Sequence, residues 1–401
     1  MPRRIEAGGV ALAGKRVVPV SADAGQDLLA PEEGVRLTAL ELVNFRLWSE
    51  LSLSLPDGPI AFVGQNASGK TSILEAIWYA ASLSSHRASS DATLVRAGET
   101  AAIVRATVES SGRSDLVELE IVTHGRPRTK LGGSPVGRRR DVLGTLRATL
   151  FAPERVAVVR GDPGERRRFV DELLVQLQPR YQAVIREYER ALRQRNALLR
   201  EAGGRTPSGL EAWDEAIAVP GGELHAGRAD AIEALHPAAA RAYRSVGGES
   251  ELGVRYVPKT DPPDTAHPAA WTEQIRRGLA ARRTDEIVRG TTLVGPHRDD
   301  VEVTIANLPA RTHASHGEAW LASMALVLGM HDAVSERVGV TPVVLLDDAF
   351  SLLDPVRRER LGEALPGGAQ VIAAASDARE LPSSRPWSVA LVTSIGVSFD
   401  A

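Results

Sequence analysis

The spacing of hydrophobic residues changes several times along the chain and predicts its elements. Alternating apolar positions over residues 35–55 predict two strands, and the run Ile60–Val63 predicts a short buried strand. A helical pattern follows over residues 71–83. Alternation over residues 103–108 and 116–122 then predicts further strands.

The middle of the chain is predicted to be helical. Asp162 and Pro163 form a cap and first-turn proline, and Pro179 starts a long helix with one apolar stripe. A third helical stretch is predicted over residues 210–243, with an interruption at Pro220–Gly222. Strand and helix patterns alternate again from Thr291.

These changes of pattern predict an α/β fold whose halves are separated by a helical insertion. Residues 1–34 lack periodicity and are expected to be a loose extension. The first half of the α/β domain is predicted over residues 35–160, the helical insertion over 161–285 and the second half over 286–401.

Composition narrows the class of protein. The 401 residues are 43% hydrophobic and 25% charged, which is typical of a soluble globular protein, so we expect a cytoplasmic protein with no membrane partner. Cysteine is absent, which excludes disulfides, zinc–thiolate sites and a cysteine nucleophile. The net charge of -3 neither favours nor excludes nucleic acid, but lysine occurs at only four positions, one of them Lys70.

Residues 64–71 fit the phosphate-binding pattern G-x-x-x-x-G-K-[ST] between a predicted strand and a predicted helix. Glycines let backbone N–H groups face phosphate oxygens, the lysine contacts the β- and γ-phosphates, and the hydroxyl binds Mg²⁺. A glycine turn with an incidental lysine is the alternative. The candidate ATP-binding residues are Gly64, Gln65, Asn66, Ala67, Ser68, Gly69, Lys70 and Thr71.

An acidic strand supplies the second element of a P-loop ATPase. Residues 343–346 are apolar and suit a central parallel strand. Asp347 at its end is predicted to hold Mg²⁺ together with Thr71, and Asp348 to orient or deprotonate the attacking water. By itself the pattern also fits a buried strand that ends in a solvated turn.

A third element, Ser315-His316-Gly317-Glu318, precedes an apolar helix. Serine, glycine and a helix N-terminus can form a second anion site. A signature followed by an acidic strand is the order found in ABC-type ATPases, in which the signature closes on the nucleotide of the opposite subunit. Read alone, Ser315 and Glu318 form an ordinary capping box.

The chain resembles the RecF family of recombination-repair ATPases, which are ABC-type relatives of SMC proteins. The resemblance spans residues 37–381, and it adds Asp354 to the implied nucleotide contacts. The matching strings are Asn44-Phe45-Arg46, the phosphate loop, Ser85-His86-Arg87, Phe151-Ala152-Pro153-Glu154, Gln194-Arg195-Asn196, Gly295-Pro296-His297-Arg298-Asp299-Asp300, the signature, and Asp347-Asp348-Ala349-Phe350 with Leu353-Asp354.

The chain departs from the family pattern at several positions. Ala67 replaces the middle glycine of the loop, Leu352 replaces a glutamate, and Arg155 replaces an aspartate. No switch histidine follows the late strand, where Ser376 and Asp377 stand. These changes bear on the hydrolysis rate, so we expect a weak ATPase that acts as a switch.

The resemblance implies an ATP- and Mg²⁺-dependent protein that forms a homodimer on ATP. It further implies binding to double-stranded DNA at gaps and junctions, action with RecO- and RecR-like proteins, and help in loading recombinase. The alternatives are the nucleotide-binding subunit of an ABC transporter, another SMC-like ATPase, and a catalytically dead ATP sensor.

Arginines on the helix after Pro179 form the candidate DNA-binding surface. Arg186, Arg190 and Arg193 recur at steps of four and three, and Arg200 follows on the same face. A row of guanidinium groups can follow a phosphate backbone without reading bases. The arginines at 166–168 are predicted to add to this region. The alternative is a solvated helix face with local ion pairs.

Overall fold

Two six-stranded sheets pack against the helix that follows the Gly64–Thr71 loop. The computed structural model describes residues 34–88 and 90–399, so nearly all of the predicted extension lies outside the described residues. The strands are β1 (Arg36–Phe45), β2 (Trp48–Ser54), β3 (Ile60–Val63), β4 (Ala101–Ser110), β5 (Arg113–Val122), β6 (Thr129–Leu131), β7 (Ser134–Pro135), β8 (Ala148–Phe151), β9 (Leu252–Val257), β10 (Asp300–Ile305), β11 (Leu308–Pro309), β12 (Val343–Asp347), β13 (Val371–Ala375), β14 (Ser388–Thr393) and β15 (Gly396–Phe399).

The helices include the predicted long segments of the middle of the chain. The first follows the phosphate loop, and its side chains are buried nearly all round because strands of both sheets pack against it. The helices are α1 (Lys70–Ser82), α2 (Val156–Arg160), α3 (Pro163–Leu177), α4 (Tyr181–Glu201), α5 (Leu210–Ser245), α6 (Pro268–Arg289), α7 (Ala310–His313), α8 (His316–Val338) and α9 (Pro355–Ala364).

The first sheet is antiparallel, in the order β2-β1-β4-β5-β6-β7. Buried and half-buried positions alternate along β4, because one face of the sheet covers the core and the other is partly open to solvent. The two strands predicted over residues 35–55 are β1 and β2, joined at the Phe45–Trp48 pair.

The second sheet combines strands from both ends of the chain, in the order β15-β14-β3-β13-β12-β8. All neighbours except β14 and β15 are parallel. Every residue of β3, β12 and β13 is buried, as expected for central parallel strands. The predicted α/β head of the ABC class, with a helical insertion, is confirmed.

The prediction that α5 is interrupted at Pro220 is wrong, because the helix runs without a break from Leu210 to Ser245. The glycines serve close packing instead. A Cβ atom on Gly221 would lie 2.8 Å from Ile275 Cδ1, and one on Gly222 would lie 2.2 Å from Thr272 Oγ1. The two glycines therefore allow α6 to approach α5, and this packing outweighs the local cost of proline and glycine.

A fully buried arginine joins three helices. Arg195 of α4 contacts Asp214 of α5 at 2.9 Å and Glu286 of α6 at 2.6 Å, and it donates to Thr292 Oγ1 at 2.8 Å. Asn196 accepts from the backbone N–H of Thr292 at 2.8 Å. The Gln194-Arg195-Asn196 string is therefore a packing device between helices.

A second buried network surrounds Asp299. His225 Nδ1 lies 3.1 Å from its carboxylate, the Tyr256 hydroxyl donates to the same group, and Arg228 holds Asp171 through two hydrogen bonds of 2.8 and 2.9 Å. Burial raises the pKa of Asp299, but hydrogen bonds from His225 and Tyr256 lower it overall. The Gly295–Asp300 string thus anchors the second half of the chain to α3 and α5.

The residues from Gly34 onward cluster as one compact unit, and the division at residues 160 and 285 stays a prediction. No helix among the described residues is long and apolar enough to cross a membrane.

We expect Arg195→Leu to lower the free energy of unfolding by about 3–5 kcal/mol, because it leaves the buried carboxylate of Glu286 without its cation, while Asp214 keeps only its ion pair with Arg283. Arg193→Leu is the matched control, two residues away on the exposed face of the same helix, and is expected to change stability by less than about 0.5 kcal/mol. Urea denaturation measures both. Equal stability of the two variants would contradict the structural role of Arg195.

Candidate nucleotide site

The phosphate loop lies between the end of β3 and the start of α1. Gly69 has φ 110°, and a Cβ atom there would lie 2.6 Å from the Trp48 ring. A Cβ atom on Gly64 would lie 2.2 Å from the Val392 carbonyl oxygen. Gly69 is therefore required by backbone geometry and close packing, and Gly64 by close packing.

Lys70 lies inside this loop. Its Nζ donates to the carbonyl oxygens of Gly64 at 2.6 Å and Gln65 at 2.9 Å. Burial lowers the pKa of Lys70, and the charges of Asp347 and Asp348 partly oppose this shift. The Ser68 hydroxyl is buried and has no hydrogen-bond partner among the described residues. A cation and a free hydroxyl at a helix N-terminus fit a phosphate group.

The backbone conformation of Ala67 explains why the family pattern has glycine at this position. Its φ is 64°, in the left-handed region that is unfavourable for residues with a Cβ atom. Beside it, the Asn66 side chain accepts from Ser376 Oγ at 3.2 Å. Ser376 follows β13, the strand after which ABC-type ATPases carry a switch histidine, so in this chain the strand end contacts the loop through a hydroxyl.

Asp347 ends β12 next to the phosphate loop. Thr71 Oγ1 donates to Asp347 Oδ1 at 3.0 Å, although 276 residues separate them. Burial raises the pKa of Asp347 to about 6; the Thr71 hydrogen bond opposes this, and the charges of Glu154 and Asp348 reinforce it. Thr71 and Asp347 are the residues that would hold Mg²⁺ here, because a P-loop hydroxyl and the carboxylate of the acidic strand are its usual protein ligands in P-loop ATPases.

Asp348 is held in a strained conformation beyond the strand. Its φ is 49°, and its backbone N–H donates to the Ala374 carbonyl at 3.1 Å. This half-buried carboxylate directly follows Asp347 at the carboxyl edge of the sheet.

Sequence reasoning missed Glu154 and Arg87 as neighbours of the site. Glu154 follows β8, which pairs in parallel with β12, and Arg87 lies 3.9 Å from it. Glu154 raises and Arg87 lowers the pKa of Asp347. The sequence does show that Glu154 follows a strand, and the carboxyl ends of parallel strands meet at one edge of a sheet. It does not show that β8 pairs with β12, so the position of Glu154 beside Asp347 could not be predicted.

A buried carboxylate on α1 was also missed. Glu75 accepts two hydrogen bonds from Arg46, at 2.8 and 2.7 Å, and one from Ser85 Oγ at 2.5 Å. Burial raises the pKa of Glu75, but these hydrogen bonds lower it overall. The network ties the Asn44–Arg46 and Ser85–Arg87 strings to the helix that carries Lys70 and Thr71.

The signature starts α8 as a complete capping box. The Ser315 hydroxyl accepts from the Glu318 N–H at 3.2 Å, and Glu318 Oε2 accepts from the Ser315 N–H at 2.8 Å. Hydrogen bonds from Ser315 lower the pKa of Glu318. A Cβ atom on Gly317 would lie 3.4 Å from Arg357 in the first turn of α9, which Asp354 caps at 3.0 Å. Ser315 and Glu318 therefore form the capping box that was the alternative interpretation of this segment, and the capping box fixes the start of α8.

The arginines predicted to bind DNA include an exposed group on α4 and a buried residue on α3. Arg186, Arg190 and Arg193 are exposed, and Arg193 lies 3.8 Å from Glu189. Arg166, which sequence reasoning added to this surface, is buried and bonded to Asp300 at 2.6 and 3.0 Å. That prediction is wrong for Arg166, because its guanidinium closes an ion pair between α3 and β10.

Arg155, a departure from the family pattern, also has a structural role. It lies 2.6 Å from Glu172 and stacks over the Trp78 ring at 5.6 Å. This replacement therefore joins α1 to α3.

The fold and the site define a P-loop ATPase head of the ABC class. The RecF/RecN/SMC N-terminal domain matches residues 36–384. The RecF proteins of Frankia alni and Streptomyces avermitilis, each described as a DNA replication and repair protein, are 46% identical over 364 residues and 44% identical over 358 residues; each alignment covers 87% of this chain and 95% of the relative.

A solved structure of the recombination mediator protein RecF with ATPrS, described as part of the RecFOR pathway, has the same fold. Its TM-score is 0.84 at 24% identity, over 92% of this chain and 99% of that chain. The chain belongs to the RecF family of DNA replication and repair proteins. This membership favours a repair ATPase over a transporter subunit.

We expect Lys70→Ala to abolish measurable ATP binding, because charge-assisted contacts to the β- and γ-phosphates are lost; the affinity should fall by at least about a hundredfold. Lys130→Ala is the matched control, since Lys130 is exposed on β6. Titration calorimetry measures both variants. Wild-type affinity in Lys70→Ala would remove residues 64–71 from the nucleotide site.

Proposed function

We propose that this chain binds ATP with Mg²⁺ at residues 64–71 and uses it as a switch for DNA binding in recombinational repair. The observation that carries the proposal is the 3.0 Å hydrogen bond from Thr71 to Asp347, which joins the phosphate loop to the acidic strand. Relatives that are DNA replication and repair proteins, and a RecF structure with an ATP analogue, support the choice of nucleotide.

Each residue of the site has a role in this proposal. Lys70, Ser68 and the first N–H groups of α1 hold the phosphates, and Thr71 with Asp347 holds Mg²⁺, which when bound neutralises charge on the phosphates. Asp348 orients the attacking water and accepts its proton. Because aspartate is one methylene shorter than the glutamate common in ABC-type ATPases, we expect weak hydrolysis.

The proposal includes a homodimer that ATP induces. Ser315, Gly317 and Glu318 of one copy then close on the nucleotide of the other, and Asp354 lies beside them. The capping box supports this role, because it leaves the signature helix with an ordered N-terminus whose dipole favours a phosphate.

Double-stranded DNA at gaps and junctions is the proposed partner of the α4 surface. Arg186, Arg190 and Arg193 are exposed and lie along one helix face, where they can follow a phosphate backbone. We further propose action with RecO- and RecR-like proteins in loading recombinase, since a RecF structure is described within the RecFOR pathway.

We expect Asp348→Asn to bind ATP normally, to hydrolyse it about 10²–10⁴-fold more slowly, and to prolong the life of the DNA-bound dimer, because the general base is lost while the shape is kept. Single-turnover hydrolysis with DNA, and dimer lifetime after ATP dilution, measure these effects. Undiminished hydrolysis would assign water activation to another residue.

We expect the triple change of Arg186, Arg190 and Arg193 to glutamate to weaken binding to all DNA sequences alike. Each lost phosphate contact lowers the slope of log affinity against log salt by roughly one.

The matched control for this triple variant reverses Arg277, Arg282 and Arg289, which are exposed on α6. Fluorescence anisotropy at several salt concentrations compares the two variants. Equal salt slopes would identify the α4 stripe as a solvated face.

A further inference from the structure

A cleft of about 860 Å³ lies between the loop that follows α1 and the helices α3 and α4. Its lining comes from the segment 82–88, from α3 between Gly164 and Gln176, and from α4 between Gln182 and Leu192. In the described part of the chain it includes none of residues 64–71. Small-molecule sites commonly have volumes of about 300–1,000 Å³. The cleft is therefore large enough for a nucleotide and is separate from the proposed ATP site.

Arginine side chains on two walls of the cleft lack a carboxylate partner. Arg186 on α4 is exposed and forms no ion pair with any described residue. Arg167 on α3 is half-buried, and its guanidinium donates to the Asp299 carbonyl oxygen at 2.6 Å without an ion pair in the described chain. Burial lowers the pKa of Arg167, and the charge of Arg228 lowers it further. A partly buried cation without a counter-ion favours the binding of an anion.

The carboxylates of the cleft do not neutralise these arginines. Arginines outnumber carboxylates among the lining residues. Asp171 already accepts two hydrogen bonds from Arg228, at 2.8 and 2.9 Å, and Glu172 lies 2.6 Å from Arg155. The charge that remains in the cleft is therefore positive.

An imidazole ring without hydrogen bonds lies in the same cleft. Both ring nitrogens of His86 are buried, and neither has a hydrogen-bond partner among the described residues. Burial, reinforced by the charge of Arg155, lowers the pKa of His86 to about 4, so near pH 7 the neutral ring has one donor and one acceptor nitrogen. Buried polar atoms are normally hydrogen-bonded, so His86 indicates a polar ligand.

Apolar side chains form another part of the lining. Ile185 and Leu192 are half-buried on α4, and the buried Leu224 of α5 also lines the cleft. Inorganic phosphate would contact only the charged part of the cleft. A phosphate that carries a nucleoside would use the charged and the apolar parts together.

We infer that this cleft binds a nucleoside monophosphate, with its phosphate at Arg167 and Arg186, its base against the apolar side chains and a hydrogen bond to His86. Guanidinium groups bind phosphate oxygens through charge-assisted hydrogen bonds. Two sources share this chemistry: a free nucleotide, and the phosphorylated end of a DNA strand, which would reach the cleft from the proposed DNA surface at Arg186. The site is additional to the ATP site of the proposed function.

Titration calorimetry with adenosine monophosphate tests the free nucleotide. It is carried out in the Lys70→Ala chain, in which the proposed ATP site is disabled. Adding Arg167→Gln should weaken binding roughly ten- to a hundredfold and adding His86→Leu about tenfold, because each change removes a hydrogen bond to the ligand. Arg105→Gln is the matched control, since Arg105 is a half-buried arginine on β4, outside the cleft.

Gapped duplexes with either a phosphate or a hydroxyl at the strand end inside the gap test the DNA source. The wild-type chain should bind the phosphorylated duplex more tightly. Arg167→Gln should remove this preference and leave binding to the hydroxyl form unchanged, whereas loss of Arg190 and Arg193 should weaken binding to both forms alike. Fluorescence anisotropy measures the four affinities of each pair.

A response in one arm supports the inference and identifies the source of the ligand. The inference is overturned if neither adenosine monophosphate binding nor the preference for a phosphorylated end depends on Arg167. In the chain that retains Lys70, wild-type ATP affinity of Arg167→Gln and His86→Leu verifies that both are folded; its loss would show that the cleft is not a separate site and would also overturn the inference. A chain that binds no DNA would overturn the proposed function, and the calorimetry would still test the cleft.

Discussion

Pairing of β3 with β13 is the interaction on which the nucleotide site depends. It joins residues 60–63 to residues 372–375, and β12 then adds to the other edge of β13. This arrangement brings Thr71 to Asp347, because Asp347 ends β12 and Thr71 follows the phosphate loop at the carboxyl end of β3, and β13 alone separates these two strands in the sheet. The helical middle of the chain can vary in length without disturbing the site as long as it returns β12 and β13 to this sheet.

Buried charge serves a different purpose in the helical part. Arg195 and Arg228 are held by carboxylates from other elements, and each link crosses a helix boundary. A buried ion pair adds little net stability, since desolvation opposes the Coulomb attraction, but a wrong packing would leave a charge without its partner. These networks therefore select one arrangement of α3 to α6. They also give a structural role to Arg195 and Asp299, which belong to strings that match the family pattern.

The sequence was sufficient for the features that depend on local spacing. The phosphate loop, the acidic strand, the capping box at Ser315 and most elements follow from short patterns, and the structure places them as expected. Features that depend on pairing at long range were not predictable. Glu154 lies near the site only because β8 pairs with β12. Arg166 is buried because it forms an ion pair with Asp300. The glycines of α5 are needed because α6, about 50 residues later in the chain, packs against them. The roles of Asp348 and the α4 arginines stay predictions.

The order of the strands also governs when this protein can first fold. Both edges of β3 are filled by strands from the last quarter of the chain, β13 and β14. At about 5–20 residues per second on the ribosome, the interval between Thr71 and Asp347 takes on the order of 14–55 seconds. During that time the apolar strand β3 and the helix α1 have no completed sheet to cover them. The contact of Thr71 with Asp347, and with it the complete nucleotide site, therefore forms only when synthesis is nearly finished.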